Sequence, residues 1–173
     1  MPPREAWAAA CFTQDAEEWT VFLQLHARRD MPVCRALHYL QMATEKLAKA
    51  YRFRDTDTAT EVLRSSHVGF RAFLKDYLNS PRIRDAYKGR DAQLRRIRRD
   101  AEKLARAVEQ LAPAVDRIGR PGNTEYPWED GINILIPAYF NFPDLSLLTA
   151  PPGRVFLNLL NRAFRDYSPG GLP

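Results

Sequence analysis

The stretch LRRIRRDAEKLARAVEQL, residues 94–111, decides the fold class. Its apolar residues recur at alternating steps of three and four, the spacing of a helix that buries one seam. They are Leu94, Ile97, Ala101, Leu104, Val108 and Leu111. Pro113 follows and ends the pattern, because proline cannot continue a helix. The seam suits either an antiparallel bundle within one chain or a contact between two copies, and we favour the bundle.

Four further helices are predicted on either side of this one. Apolar periodicity predicts them at about residues 6–28, 32–53, 67–78 and 153–167. Ser66 is the predicted cap of the 67–78 helix, residues 54–66 are predicted as a polar loop, and NSPRIRD (79–85) is predicted to end that helix. The fold class is therefore all-α, as a five-helix antiparallel bundle in a single domain, residues 1–173.

One segment departs from the helical pattern. Residues 119–153 are rich in proline and aromatic side chains, and INILIPAYF (132–140) is β-prone, which predicts an insertion with a short hairpin before the last helix. The many aromatic residues indicate that the insertion lies against the helices. Residues 168–173, SPGGLP, are predicted to be a flexible tail.

Composition narrows the classes of function. The chain has 26 Lys and Arg against 21 Asp and Glu, a net charge of +5, which permits an anionic partner without demanding one. With two cysteines, no CxxC and three histidines, the chain has no recognisable zinc motif, and we expect no metal and no cofactor. Cys34 starts a helix, where thiol pKa values fall, but a buried apolar role is favoured. We expect a cytoplasmic protein that does not enter a membrane.

The strongest charge asymmetry lies in residues 82–106, which hold ten Lys and Arg and four Asp and Glu. Arg96, Arg99, Lys103 and Arg106, here called the basic row, share one helical stripe. Arg95 and Arg98 are predicted to be offset by Asp91 and Glu102. The basic row suits a phosphate backbone or an acidic protein partner, although such a run is also typical of a merely solvated face.

A family resemblance appears in ALHYLQMATEKLAKAY, residues 36–51. This stretch resembles the second helix of the HEPN family, helical bundles of bacterial defence and toxin–antitoxin loci. The matching positions are Gln41, Ala43, Glu45, Lys46, Lys49 and Ala50. SSHVGFRAFLKDYL (65–78) resembles the third-helix pattern, with His67 in the histidine position, and TEYPWED (124–130) is similar to the Arg-Tyr-Pro element before the last helix.

The resemblance implies a chemistry that this chain lacks in part. Catalytic HEPN proteins share a motif in which an Arg is followed, after four to six residues, by a His. They use it for metal-independent RNA cleavage at a dimer interface. Here Arg64 and His67, like Arg35 and His38, are separated by only two residues, and Glu125 stands where the Arg-Tyr-Pro element has arginine. We therefore expect a divergent, non-catalytic member.

Three functions remain open at this point. The leading one is a binding module for RNA, a nucleotide or a partner protein, acting through the basic row. The second is a dimeric ribonuclease that uses Arg64 and His67, and the third is a structural subunit of a larger complex. In each, the resemblance implies a homodimer, or a heteromer with a protein encoded in the same operon.

The charged residues of the 36–51 helix are interpreted as a helical ion pair, with a second binding surface as the alternative. Glu45 and Lys49 are four residues apart with the acid first, the stabilising order for a helical ion pair. The alternative is that Lys46, Lys49 and His67 line a groove that meets phosphate.

Overall fold

The computed structural model describes residues 2–55, 58–112 and 122–167. Within these ranges it has seven α-helices and one two-stranded antiparallel sheet. The helices are α1 (Arg4–His26), α2 (Val33–Asp55), α3 (Thr60–Ser65), α4 (Phe70–Asn79), α5 (Pro81–Ala86), α6 (Asp91–Glu109) and α7 (Pro151–Asp166). The strands are β1 (Trp128–Asp130) and β2 (Asn133–Leu135), and two 3₁₀ segments, Pro137–Tyr139 and Pro143–Thr149, connect β2 to α7. A mainly helical fold is confirmed, whereas the HEPN-like arrangement stays a prediction.

The seam of α6 is part of the core of a single chain. All six seam residues are buried, and Leu104 and Val108 have no exposed surface. They join one cluster with α2, α4 and α7, which includes Leu40, Leu74 and Phe156. The bundle interpretation of the seam is thereby confirmed for these side chains; Pro113 lies outside the described residues.

The long helices pack in antiparallel pairs. The Arg4 side chain at the start of α1 donates to the carbonyls of Arg52 and Phe53 at the end of α2. Phe12 stacks on Tyr167, whereas Trp19, two turns further along α1, donates to Asn161 earlier in α7. Opposed chain directions bring these ends together, as in other helical bundles.

The start of α4 corrects the predicted cap. Ser66 is the C-cap residue that follows α3, and Gly69 precedes the first residue of α4 with a φ of 138°. The Glu109 carboxylate on α6 accepts hydrogen bonds from the backbone N–H groups of Gly69 (2.6 Å) and Arg71 (3.3 Å). A carboxylate from another helix therefore satisfies two of the free amides at this N-terminus.

Two short helices were missed by the periodicity. Thr60–Ser65 (α3) lies in the segment predicted as a loop, and its Leu63 is fully buried. Pro81–Ala86 (α5) begins directly after α4, with the Ser80 side chain accepting from the Ile83 N–H and Pro81 in the first turn. Six residues are too few to display a helical period, so only these capping signals were present.

The predicted hairpin is confirmed. Trp128 pairs with Leu135, Glu129 with Ile134 and Asp130 with Asn133, leaving Gly131 and Ile132 as a two-residue turn. Gly131 has a φ of 62°, the left-handed conformation that such turns require and that glycine adopts freely. Trp128 packs edge-on against Phe140 and ties the hairpin to the following segment. Residues 119–121 of the predicted insertion and the predicted tail, 168–173, lie outside the described residues.

Candidate anion-binding face

The basic row lies on the outer side of α6. Counting 100° per residue, its four members centre almost opposite the buried seam. Arg96, Arg99, Lys103 and Arg106 are all exposed. Arg96 and Arg106 are ten residue steps apart, about 15 Å of helix at 1.5 Å per step.

Most of this charge has no close ion pair in the described parts of the chain. Among the described residues, the row makes one ion pair, between Arg99 Nε and Asp100 Oδ1 at 3.2 Å, with the Arg99 side chain 66% exposed. Arg96, Lys103 and Arg106 have no ion-pair partner in the described parts of the chain. An exposed pair such as Arg99–Asp100 contributes little and is readily exchanged for another anion.

The predicted pairing of Arg95 and Arg98 with Asp91 and Glu102 is not formed. Glu102 pairs with Arg71 of α4 at 2.6 Å and not with Arg98. Arg98 is half-buried and donates to the carbonyl of Leu78. Arg95 is exposed and has no ion pair within the described ranges, so it adds to the positive surface. The spacing of four residues allowed the Arg98–Glu102 pair, but the neighbouring helix offered each side chain a different partner.

The proposed groove of Lys46, Lys49 and His67 is already occupied by carboxylates of the same chain. Lys46 Nζ lies 2.7 and 2.8 Å from the two oxygens of Glu18 on α1. Lys49 Nζ lies 2.9 Å from Glu45 Oε1, as the spacing predicted, and His67 Nδ1 lies 3.2 Å from the same oxygen. The charged residues of the 36–51 stretch therefore serve the contacts of α2 with α1 and with the segment before α4.

Arg64 and His67 contact different partners within the chain. The Arg64 guanidinium lies over the ring of Trp7, 4.5 Å from its centroid, in a cation–π contact. His67 instead faces Glu45. A phosphate held by both would require both side chains to leave these partners.

Sequence reasoning missed a cleft of about 530 Å³ between the start of α2 and the segment before β1. There His38 Nδ1 faces Glu125 Oε1 at 3.5 Å, without the geometry of a hydrogen bond. The Thr124 hydroxyl is buried beside them and has no partner among the described residues. The sequence does not indicate that His38 and Glu125 lie close together, because the two residues are far apart in the chain.

Cys34 also lines this cleft and is buried. Burial raises the pKa of the Cys34 thiol, although Arg35 opposes the shift. The position at a helix start therefore does not activate the thiol, and the apolar interpretation is confirmed. Cys11 and Cys34 are both free.

No protein-family model matches this chain, and comparisons with curated proteins and with solved structures also found no match. Within the described ranges, none of the helices combines the length and apolar character needed to cross a membrane. In the same ranges, no three His, Cys, Asp or Glu side chains converge as metal ligands would.

Proposed function

We propose that this protein is a non-catalytic binding module that engages RNA through the basic row of α6. The observation that carries the proposal is the exposure of four cations on the side of α6 opposite its core seam, with one weak ion pair among them. Phosphate contacts of this kind supply affinity without reading bases. The resemblance to HEPN proteins is what connects this activity to bacterial defence or toxin–antitoxin systems.

Two contacts support binding over cleavage. The Arg64 guanidinium lies over Trp7 and the His67 ring faces Glu45, so the cation and the acid–base group of the alternative ribonuclease have different partners within the chain. General acid–base catalysis needs the titrating group within hydrogen-bond reach of the reacting proton, and the cation fixed at the phosphate. RNA cleavage by the pure protein in chelator that is lost in His67→Ala would favour the ribonuclease instead.

Reversing the charge at Arg99 and Arg106 should abolish RNA binding and leave the fold intact, because both side chains are exposed. For the unaltered protein, a single-stranded RNA should show a slope of log affinity against log salt between about −2 and −3, from three or four phosphate contacts at about −0.7 each. Fluorescence anisotropy at several salt concentrations measures both quantities.

The matched control reverses Arg29 and Arg165, two exposed arginines on other parts of the surface. It changes the net charge by the same amount, so it should retain most of the binding. Equal losses in the two double variants would show that only net charge matters, and would contradict a role for the basic row.

A second candidate function is that of a self-associating structural subunit, and the hairpin favours it. Ile132 in the turn is 100% exposed and Ile134 in β2 is 71% exposed, and Tyr139 in the 3₁₀ segment that follows is 84% exposed, so the hairpin and the segment after it present three large apolar side chains to solvent. Residues 122–150 contain four Asp and Glu, whereas all 26 Lys and Arg lie elsewhere. An acidic apolar hairpin therefore complements the basic surface of a second copy of the chain.

Replacing Ile132 with Ser and Ile134 with Thr should then convert a dimer into a monomer at micromolar concentration. The control Val62→Thr with Val68→Thr alters two exposed apolar residues outside the hairpin and should leave the dimer intact. Sedimentation velocity distinguishes the two states. A monomeric unaltered protein at high concentration, or a hairpin variant that still dimerises, would exclude this surface as the interface.

A further inference from the structure

A cavity of about 780 Å³ lies between α2, α4, α5 and the end of α7, apart from the basic row. This volume is in the range of sites that hold small molecules. One wall is aromatic: the rings of Tyr51 and Phe73 are 4.7 Å apart, and Phe73 and Tyr77 are 5.9 Å apart. The ordinary structural role of such rings is core packing, but these three also line the cavity.

The phenol groups of this wall are already used. Tyr51 donates to the carbonyl of Ala163 at 2.8 Å, and Tyr77 donates to Asp166 Oδ2 at 2.7 Å. Burial raises the pKa of both phenols, so they stay neutral. A ligand would therefore meet the rings and not the hydroxyl groups.

The cavity lining holds four aspartates and three arginines. Arg54 pairs with Asp55 at 2.8 Å and Arg82 with Asp166 at 2.9 Å, and Arg52, the third arginine of the lining, also has a partner. Asp76 and Asp85 line the same cavity, are exposed, and have no side-chain partner among the described residues. Asp76 and Asp85 are thus two carboxylates that lie beside the aromatic wall without an ion pair in the described parts of the chain.

One ring of the cavity wall, that of Tyr51, already accepts a cation from the protein itself, together with the ring of Tyr167 outside the wall. The Arg54 guanidinium lies 5.0 Å from the ring centroid of Tyr51 and 4.7 Å from that of Tyr167. Aromatic faces attract ammonium and guanidinium groups in this way, most strongly where water is excluded. The same chemistry is available at the neighbouring rings.

We propose that this cavity binds an organic cation, an ammonium or guanidinium group carried on an apolar chain. The chain lies against Tyr51, Phe73 and Tyr77, and the charge lies at Asp76 and Asp85. Two sources supply this chemistry: a free polyamine, and a lysine or arginine side chain of a peptide. The site does not depend on the basic row, and since the protein carries a net charge of +5, general attraction of cations does not account for binding.

Calorimetric titration with spermidine at fixed ionic strength tests the proposal. Asp76→Asn with Asp85→Asn should weaken spermidine binding at least tenfold, and because both side chains are exposed the fold should be retained. Glu17→Gln with Glu61→Gln removes two exposed carboxylates elsewhere and should leave the affinity unchanged. Phe73→Leu should also weaken binding, since it keeps an apolar side chain but removes a ring; circular dichroism checks its folding.

One further titrant, a lysine-rich peptide, separates the two sources. A short lysine-rich peptide that binds with the same dependence on Asp76 and Asp85, where spermidine does not bind, would support the site and assign it to a peptide side chain. Binding of neither titrant would overturn the proposal. The proposal would also be overturned if the Asp76/Asp85 and Glu17/Glu61 double variants weakened spermidine binding equally. It would likewise be overturned if Mg²⁺ at the same total charge displaced spermidine. Either result would mean that binding depends only on general charge.

Discussion

Leu104→Glu should leave the protein unfolded. Leu104 has no exposed surface and lies in the core cluster of a single chain. The substitution loses about 2 kcal/mol of apolar burial and places an unpaired charge where water cannot reach it, at a further cost of several kcal/mol. Since the whole free energy of unfolding of a small protein is about 5–15 kcal/mol, the sum is large enough to remove the folded state.

Lys103→Glu is the matched control, because it places the same carboxylate one residue earlier, on the exposed side of α6. Its circular dichroism spectrum and its urea midpoint should stay close to those of the unaltered protein. A Leu104→Glu protein that remained folded as a monomer would mean that the seam serves only a contact between chains. That result would contradict the packing of α6 against α4 and α7.

The parts of the fold that the sequence predicted are those set by local periodicity. The six seam residues from Leu94 to Leu111 recur at steps that only a helix with one buried side explains, and all six are buried in the structure. The Gly69 cap was not predictable, because its acceptor is Glu109 on another helix, 40 residues away. Sequence spacing shows which partners a side chain can reach along its own helix, and nothing about neighbouring helices.

The same limit applies to the candidate sites. Exposure of the basic row followed from its place opposite the seam. The partner of Arg98 could not be predicted in this way, because α4 packs on α6 and its Arg71 forms the ion pair with Glu102. The cavity at Tyr51 and Asp76 was invisible in the sequence, since its walls come from four helices and one of them, α5, is too short to show a period.

Asp15 is a buried carboxyl group that should make stability depend on pH. It has no exposed surface, and neither carboxyl oxygen has a hydrogen-bond partner in the described parts of the chain. Burial, reinforced by the negative charge of Glu18, raises the pKa of Asp15 to about 9. Lys46, the nearby cation, is held by both oxygens of Glu18, so it offsets this only in part. The native protein therefore keeps Asp15 protonated at neutral pH.

The direction of the pH effect follows from proton binding. Between about pH 4 and pH 9 the unfolded chain has released the Asp15 proton and the native chain has kept it. The free energy of unfolding then falls as pH rises, by up to about 1.4 kcal/mol per pH unit. The charge of Asp15 also affects the pKa values of Cys11 and Tyr167. Burial raises both of these pKa values, so in the native protein the two side chains stay neutral across this pH window.

Asp15→Asn should remove this slope, because the amide is neutral in both the folded and the unfolded chain. Urea denaturation at pH 5 and pH 7.5 should show the variant more stable than the unaltered protein at the higher pH, by a few kcal/mol, and the difference should shrink at the lower pH. Glu17→Gln, an exposed carboxylate two residues further along α1, should leave the slope unchanged. If Asp15→Asn and the unaltered protein lost stability in parallel between the two pH values, Asp15 would be ionised in the native chain, and water or a partner would have to reach the interface of α1 with α2.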